Sequence, residues 1–121
     1  DLQYSKRALN NMQENSTDKK NQERTVKNLE QSISASMTNL YNDIQQKKIA
    51  WQLAQAELAT EQQSMSAVET KRGLGMVSDL EYLQAQSSFL GKQIAERTAN
   101  MALFQAVETY NWAVNGYLSQ K

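Results

Sequence analysis

The side chains that could carry acid–base or nucleophilic chemistry here are carboxylates, amines, guanidinia, hydroxyls and phenols, because the 121 residues include no histidine and no cysteine. That removes the usual general base, the thiolate nucleophile and the common zinc ligands together. The Glu-x-x-His pair that holds iron in helical bundles cannot be built. Gly73 and Gly75 follow no strand and precede no Gly-Lys-Ser/Thr, so they form no phosphate loop. The reading is a non-enzyme, with no cofactor and no metal. Ser78 and Glu81, three residues apart, have a spacing with a definite use, and that use is structural. Ser78 can cap a helix start, and Glu81 can complete a capping box around it.

Charge points away from nucleic acid. Thirteen basic and thirteen acidic side chains are interspersed, for a net charge of zero, whereas nucleic-acid binders gather their basic groups on one face. The N-terminal cations (Lys6, Arg7, Lys19, Lys20, Arg24, Lys27) are interrupted by acids and read as a solvated helix face. No run of eighteen apolar residues is present to cross a bilayer as a helix. The chain starts at Asp1 and is expected to be a mature or excised fragment of something larger.

The capping pair must be positioned by helices. Proline is absent, and no stretch alternates at period two, so the expected class is all-α. The segment Lys71–Leu83 (KRGLGMVSDLEYL) holds a helix stop at Gly73 and Gly75 and a helix start at Ser78, with Val77 and Tyr82 able to form a hydrophobic staple. The expected architecture is a single long antiparallel helical hairpin over 1–121. Its first helix covers about 1–72 and is less regular before 26, with an interruption at Asn15–Asp18. The tip turn is 73–77, and the second helix covers about 78–116, stopped by Gly116.

Along the first helix, Val26, Leu29, Ile33, Met37, Leu40 and Ile44 advance in threes and fours. From Leu40 the line continues through Lys47, Trp51, Ala54, Leu58, Glu61, Met65, Val68 and Arg72, a coiled-coil seam. Before Val26, Leu2, Leu9 and Met12 keep the register more weakly. A second line passes through Ile49, Leu53, Ala56, Thr60 and Ala67. The second helix likewise carries two lines: Leu80, Leu83, Ser87, Leu90, Ile94, Arg97, Met101 and Phe104, and a small-residue line through Ala95, Ala99, Ala102, Ala106, Thr109 and Ala113. From Met101 onward apolar residues (Leu103, Val107, Tyr110, Trp112, Val114, Leu118) surround the helix, which predicts burial on most sides. Trp51, Phe104, Tyr110 and Trp112 read as packing residues, and Met65, Met76 and Met101 as seam or gap-filling residues. Two lines on each helix imply neighbours on two sides, so the isolated fragment is expected to self-associate.

The stretch Gly75–Ala95 (GMVSDLEYLQAQSSFLGKQIA) resembles the outer-membrane efflux protein family, the TolC-like outer-membrane factors. The resemblance rests on Arg72 at the helix end, then Gly75, Met76 and Ser78. It continues through Glu81, Tyr82, Leu83, Gln84, Ala85 and Gln86, and ends on Tyr110, Ala113 and Gly116, which resemble the family's Tyr-x-x-Ala-x-x-Gly repeat ending. It covers about residues 26–118, loosely in the first helix and well from Gly75 on. The resemblance implies a homotrimeric channel in the cell outer membrane, with this segment in the periplasm as one hairpin of the C-terminal repeat. The barrel strands and first repeat of such a channel are not in this sequence. It implies that the tip, Leu74, Gly75, Met76, Val77 and Ser78, docks a periplasmic membrane-fusion adaptor that works with an inner-membrane transporter. It also matches Glu81 to an acidic position lining the periplasmic constriction. Gln84 falls where some members have a second acid.

Each of these residues also has a plainer use. Gly73, Gly75 and Ser78 are explained by turn and cap chemistry alone. Leu74, Met76 and Val77 are not, because three apolar residues in a five-residue turn should face solvent. Two other functions fit the sequence: the hairpin of an adaptor protein, whose tip also carries Arg, Leu, Gly and Ser, and a generic structural coiled coil that needs only the heptads.

Overall fold

A computed structural model describes the backbone of residues 2–119 and the side chains of residues 3–116. Two helices account for nearly all of it: α1, Leu2–Gly73, and α2, Asp79–Ser119. The expected all-α hairpin is present. Its turn lies at 74–78, one residue later than the glycine pair suggested. The chain divides into two units, residues 1–38 and residues 39–121.

The second unit is the hairpin. On α1 its sheltered positions include Leu40, Ile44, Lys47, Trp51, Ala54, Leu58, Glu61, Met65 and Val68, which is the expected seam. Arg72, expected to extend it, keeps 46% of its side chain exposed. On α2 the sheltered positions include Tyr82, Ala85, Phe89, Lys92, Glu96, Ala99, Leu103, Ala106, Tyr110 and Ala113, again at alternating steps of three and four. Two polar contacts set the antiparallel register. The Trp51 indole N–H donates to Glu96 Oε1 at 2.9 Å, and Lys92 Nζ donates to Glu57 Oε2 at 3.3 Å. Moving from 51 to 57 on α1 moves from 96 to 92 on α2. Alanines at 85, 99 and 106 face an α1 seam that carries Ile44, Trp51, Leu58 and Met65. Small residues on one side admit large ones from the other and let the backbones approach.

The inner line of α2 is therefore not the one through Leu80, Leu83, Leu90, Ile94, Met101 and Phe104. Those six are each 55–66% exposed. Both lines have heptad spacing, so period alone does not decide which faces α1. Of the expected small-residue line, Ala99, Ala102, Ala106 and Ala113 are sheltered but Ala95 and Thr109 are exposed; the inner side combines alanines with Tyr82, Phe89, Leu103 and Tyr110. The core that results is thin, and Met65 and Ala106, each 8% exposed, are the most enclosed among the described residues. Enclosing a methionine contributes about 2 kcal/mol.

One partner helix covers one side only. Trp112 is 81% exposed and Phe104 is exposed, so neither is the packing residue expected, whereas Trp51 and Tyr110 are half-buried. Met101 and Met76 are exposed as well, leaving Met65 as the seam methionine. Beyond Met101, Leu103 and Val114 are half-buried and Val107 is exposed, so α2 is not buried on most sides. Leu2 and Leu118 lie outside the described side chains. Gly116 does not end α2, which continues to Ser119. Gly75 is the glycine that takes a positive φ, and Gly116 does not adopt the left-handed conformation that would stop a helix.

The first unit is helical without the expected interruption at Asn15–Asp18. Thr17 folds its hydroxyl back onto the Gln13 carbonyl at 3.0 Å instead of capping a break, the way a threonine is accommodated inside a helix. Every side chain described from residue 3 to residue 32 is exposed, including Val26 and Leu29, which the sequence pattern assigns to a seam.

Candidate functional site: the hairpin tip and its outer edges

The tip is built from two successive terminators. At the end of α1, Gly75 takes φ +72°. Its N–H donates to the Arg72 carbonyl at 2.9 Å, and the Met76 N–H donates to the Lys71 carbonyl at 2.9 Å. This pair of bonds around a left-handed residue is a Schellman motif, and it satisfies carbonyls that the helix end leaves open. Gly73 remains inside α1. At the start of α2, Ser78 Oγ accepts the Glu81 N–H at 3.2 Å, so Ser78 is the N-cap. The reciprocal bond from the Ser78 N–H to the Glu81 carboxylate is not formed among the described residues; half of the capping box is present. Asp79 and Glu81 sit in the first turn of α2, and Lys71 and Arg72 in the last turn of α1. Each pair complements the helix dipole at its end.

Arg72 joins the two ends. Its guanidinium carbon lies 3.8 Å from the centroid of the Tyr82 ring, and Nη2 is 3.8 Å from Asp79 Oδ1. The cation–π contact is worth about 0.5–1 kcal/mol at an exposed site. The open ion pair adds little, because Asp79 is almost fully solvated. No helical periodicity connects Arg72 with Tyr82, since the turn intervenes; the signal was only a cation just before the turn and an aromatic just after the cap.

With the backbone held this way, Leu74 is 71% and Met76 69% exposed. Val77 is half-buried rather than exposed. It occupies the position before the N-cap, where a staple residue turns inward toward Tyr82, itself half-buried. Glu81 is at the surface. The expected tip residues are therefore brought together in one turn, with Leu74 and Met76 as its exposed apolar part.

Two further apolar surfaces flank the hairpin. On α2, the exposed line Leu80–Phe104 lies about 190° around the helix axis from the inner line, at about 100° per residue. On α1, Ile49 and Leu53, 65% and 60% exposed, with Ala56 and Thr60, likewise lie roughly opposite the seam. Each helix thus turns one face to its partner and presents a second apolar line on its far side. Among the described residues no helix is long and apolar enough to cross a membrane, and no group of three or more acidic side chains is arranged to hold a metal ion. No family model matches this chain, and neither curated proteins nor solved structures include a match to it.

Proposed function

We propose that this chain is a wall segment of the periplasmic α-barrel of an outer-membrane efflux or secretion channel subunit, docking a membrane-fusion adaptor through its hairpin tip. The observation that carries the reading is the opposition of the two outer apolar lines. A helix pair destined for a compact four-helix bundle would gather its second apolar lines on one face. A stave needs them on its two lateral edges, so that a neighbour can attach on each side and the row can close into a tube. The exposed Leu74 and Met76 support a docking role for the tip, because apolar side chains at a helix turn that already has its glycine and its cap are not needed to close it. In this reading the subunit assembles as a homotrimer with its barrel in the outer membrane, performs no catalysis, and hands substrate on from an inner-membrane transporter. Glu81, at the surface one turn into α2, is the residue we assign to the periplasmic constriction.

The test is crosslinking from the tip in cells. A thiol-reactive crosslinker at Met76→Cys is expected to capture a periplasmic adaptor, and Leu74→Asp with Met76→Asp to abolish both docking and efflux while leaving helicity unchanged. Leu74 and Met76 are cleaner probes than Gly75, where any side chain also strains the turn. Docking and efflux that survive the two aspartates would refute the tip assignment. Capture of a β-barrel channel protein instead would move this hairpin to the adaptor side of the junction.

A further inference from the structure

The outer line of α2 reads the same in both directions. From Leu80 to Phe104 its steps alternate three and four, beginning and ending on a three. An antiparallel partner with the same line therefore meets it layer by layer. Leu80 meets Phe104, Leu83 meets Met101 and Leu90 meets Ile94. The two polar members, Ser87 and Arg97, meet each other, so no apolar residue faces a polar one and neither arginine faces the other. The positions flanking the line between Leu80 and Phe104 are Gln84, Gln86, Gly91, Gln93, Thr98 and Asn100. None carries charge, so the two-fold operation creates no like-charge pair; the charges of Lys92 and Glu96 belong to the opposite side of α2, toward α1. Gly91 flanks the line one residue from the two-fold axis, which passes at the height of residue 92.

From this match we infer that the uncovered edge of α2 is a self-recognition surface, taken in solution by the same edge of a second copy in antiparallel orientation. The six apolar side chains, each 55–66% exposed, offer roughly 600 Å² on one chain and roughly 1,200 Å² across the pair, at the lower bound of what specific stable interfaces bury. Such a pair points the two tips in opposite directions. It is distinct from a tube whose tips all face one end, and the edge serves one arrangement at a time. The inference goes beyond the channel reading and is tested apart from it.

The 121-residue chain is examined by sedimentation equilibrium and by thiol crosslinking. It has no native cysteine, so every crosslink reports the introduced site. A Cβ at Gly91 meets nothing within 4 Å in the hairpin, so Gly91→Cys is accommodated. We expect a dimer, in which a short bis-maleimide joins Gly91→Cys to itself but leaves Asp79→Cys unjoined, because the two copies of residue 79 lie about 39 Å apart at 1.5 Å per residue. Leu90→Gln with Ile94→Gln, both exposed in the hairpin, is expected to weaken dimerisation at least tenfold with helicity retained. A chain that stays monomeric, a dimer indifferent to Leu90→Gln with Ile94→Gln, or crosslinking through Asp79→Cys as efficient as through Gly91→Cys would each overturn the inference. The last would indicate copies lying with their tips together.

Discussion

Gly73 and Gly75 stand two residues apart and are expected to respond in opposite directions to the same substitution. Gly75 has φ +72° and open space around its Cβ position, with nothing within 4 Å. Alanine there meets no clash, and its cost is the left-handed backbone itself, about 1–2 kcal/mol. The reduced freedom of the unfolded chain offsets part of this, leaving a net loss of about 1 kcal/mol. Gly73 lies in the last turn of α1 without a positive φ, so Gly73→Ala gains helix propensity, about 0.5–1 kcal/mol. For a unit of this size, 1 kcal/mol corresponds to about 4–8 °C in Tm. Thermal unfolding followed by far-UV circular dichroism should then show Gly75→Ala melting below the parent and Gly73→Ala above it, with Gly75→Asn between Gly75→Ala and the parent because asparagine tolerates the left-handed region. Protein concentration must be held fixed, since association raises the apparent Tm. If both alanine variants shift Tm in the same direction, the turn does not depend on a left-handed residue 75 and the reasoning fails.

Trp51→Phe removes the part-buried bond to Glu96 and should cost about 1.5–3 kcal/mol in urea unfolding, since it leaves a carboxylate without its donor. Lys92→Ala, which breaks a half-exposed ion pair, should cost under about 1 kcal/mol; equal losses would mean that burial does not rank the two contacts. Amide hydrogen exchange should divide the chain, with residues 3–32 exchanging orders of magnitude faster than residues 44–68 and 82–113, because an unburied helix has little beyond its own propensity to hold it. Uniform protection along α1 would contradict that.

The turn and the α1 seam were legible because each rests on local rules. Gly75, Ser78 and Glu81 specify a stop and a start through backbone chemistry within one short stretch. The line Leu40–Val68 is the best apolar heptad on its helix, and it is sheltered as expected. The inner face of α2 was not legible in the same way. Leucines and alanines there run in two lines of equal period, and the choice depends on how closely the helices approach, which is a property of the pair. The Trp51–Glu96 bond escaped for a related reason, since it joins residues forty-five apart in sequence whose meeting follows only from the register. Trp112 and Phe104 misled because an aromatic side chain signals burial only if a partner is there to cover it. Thr17 misled because a hydroxyl that can cap a helix end can also bond back into the helix that carries it.

The clasp formed by Arg72, Tyr82 and Asp79 has a consequence for how this tip can change over time. Fastening is done by Gly75, by Ser78 and by that clasp, none of which uses the Leu74 or Met76 side chains. Those two side chains are passengers on a frame that closes without them. Whatever surface they touch, a lineage could exchange them for other residues and re-address the hairpin to a new neighbour while its folding stayed as it was.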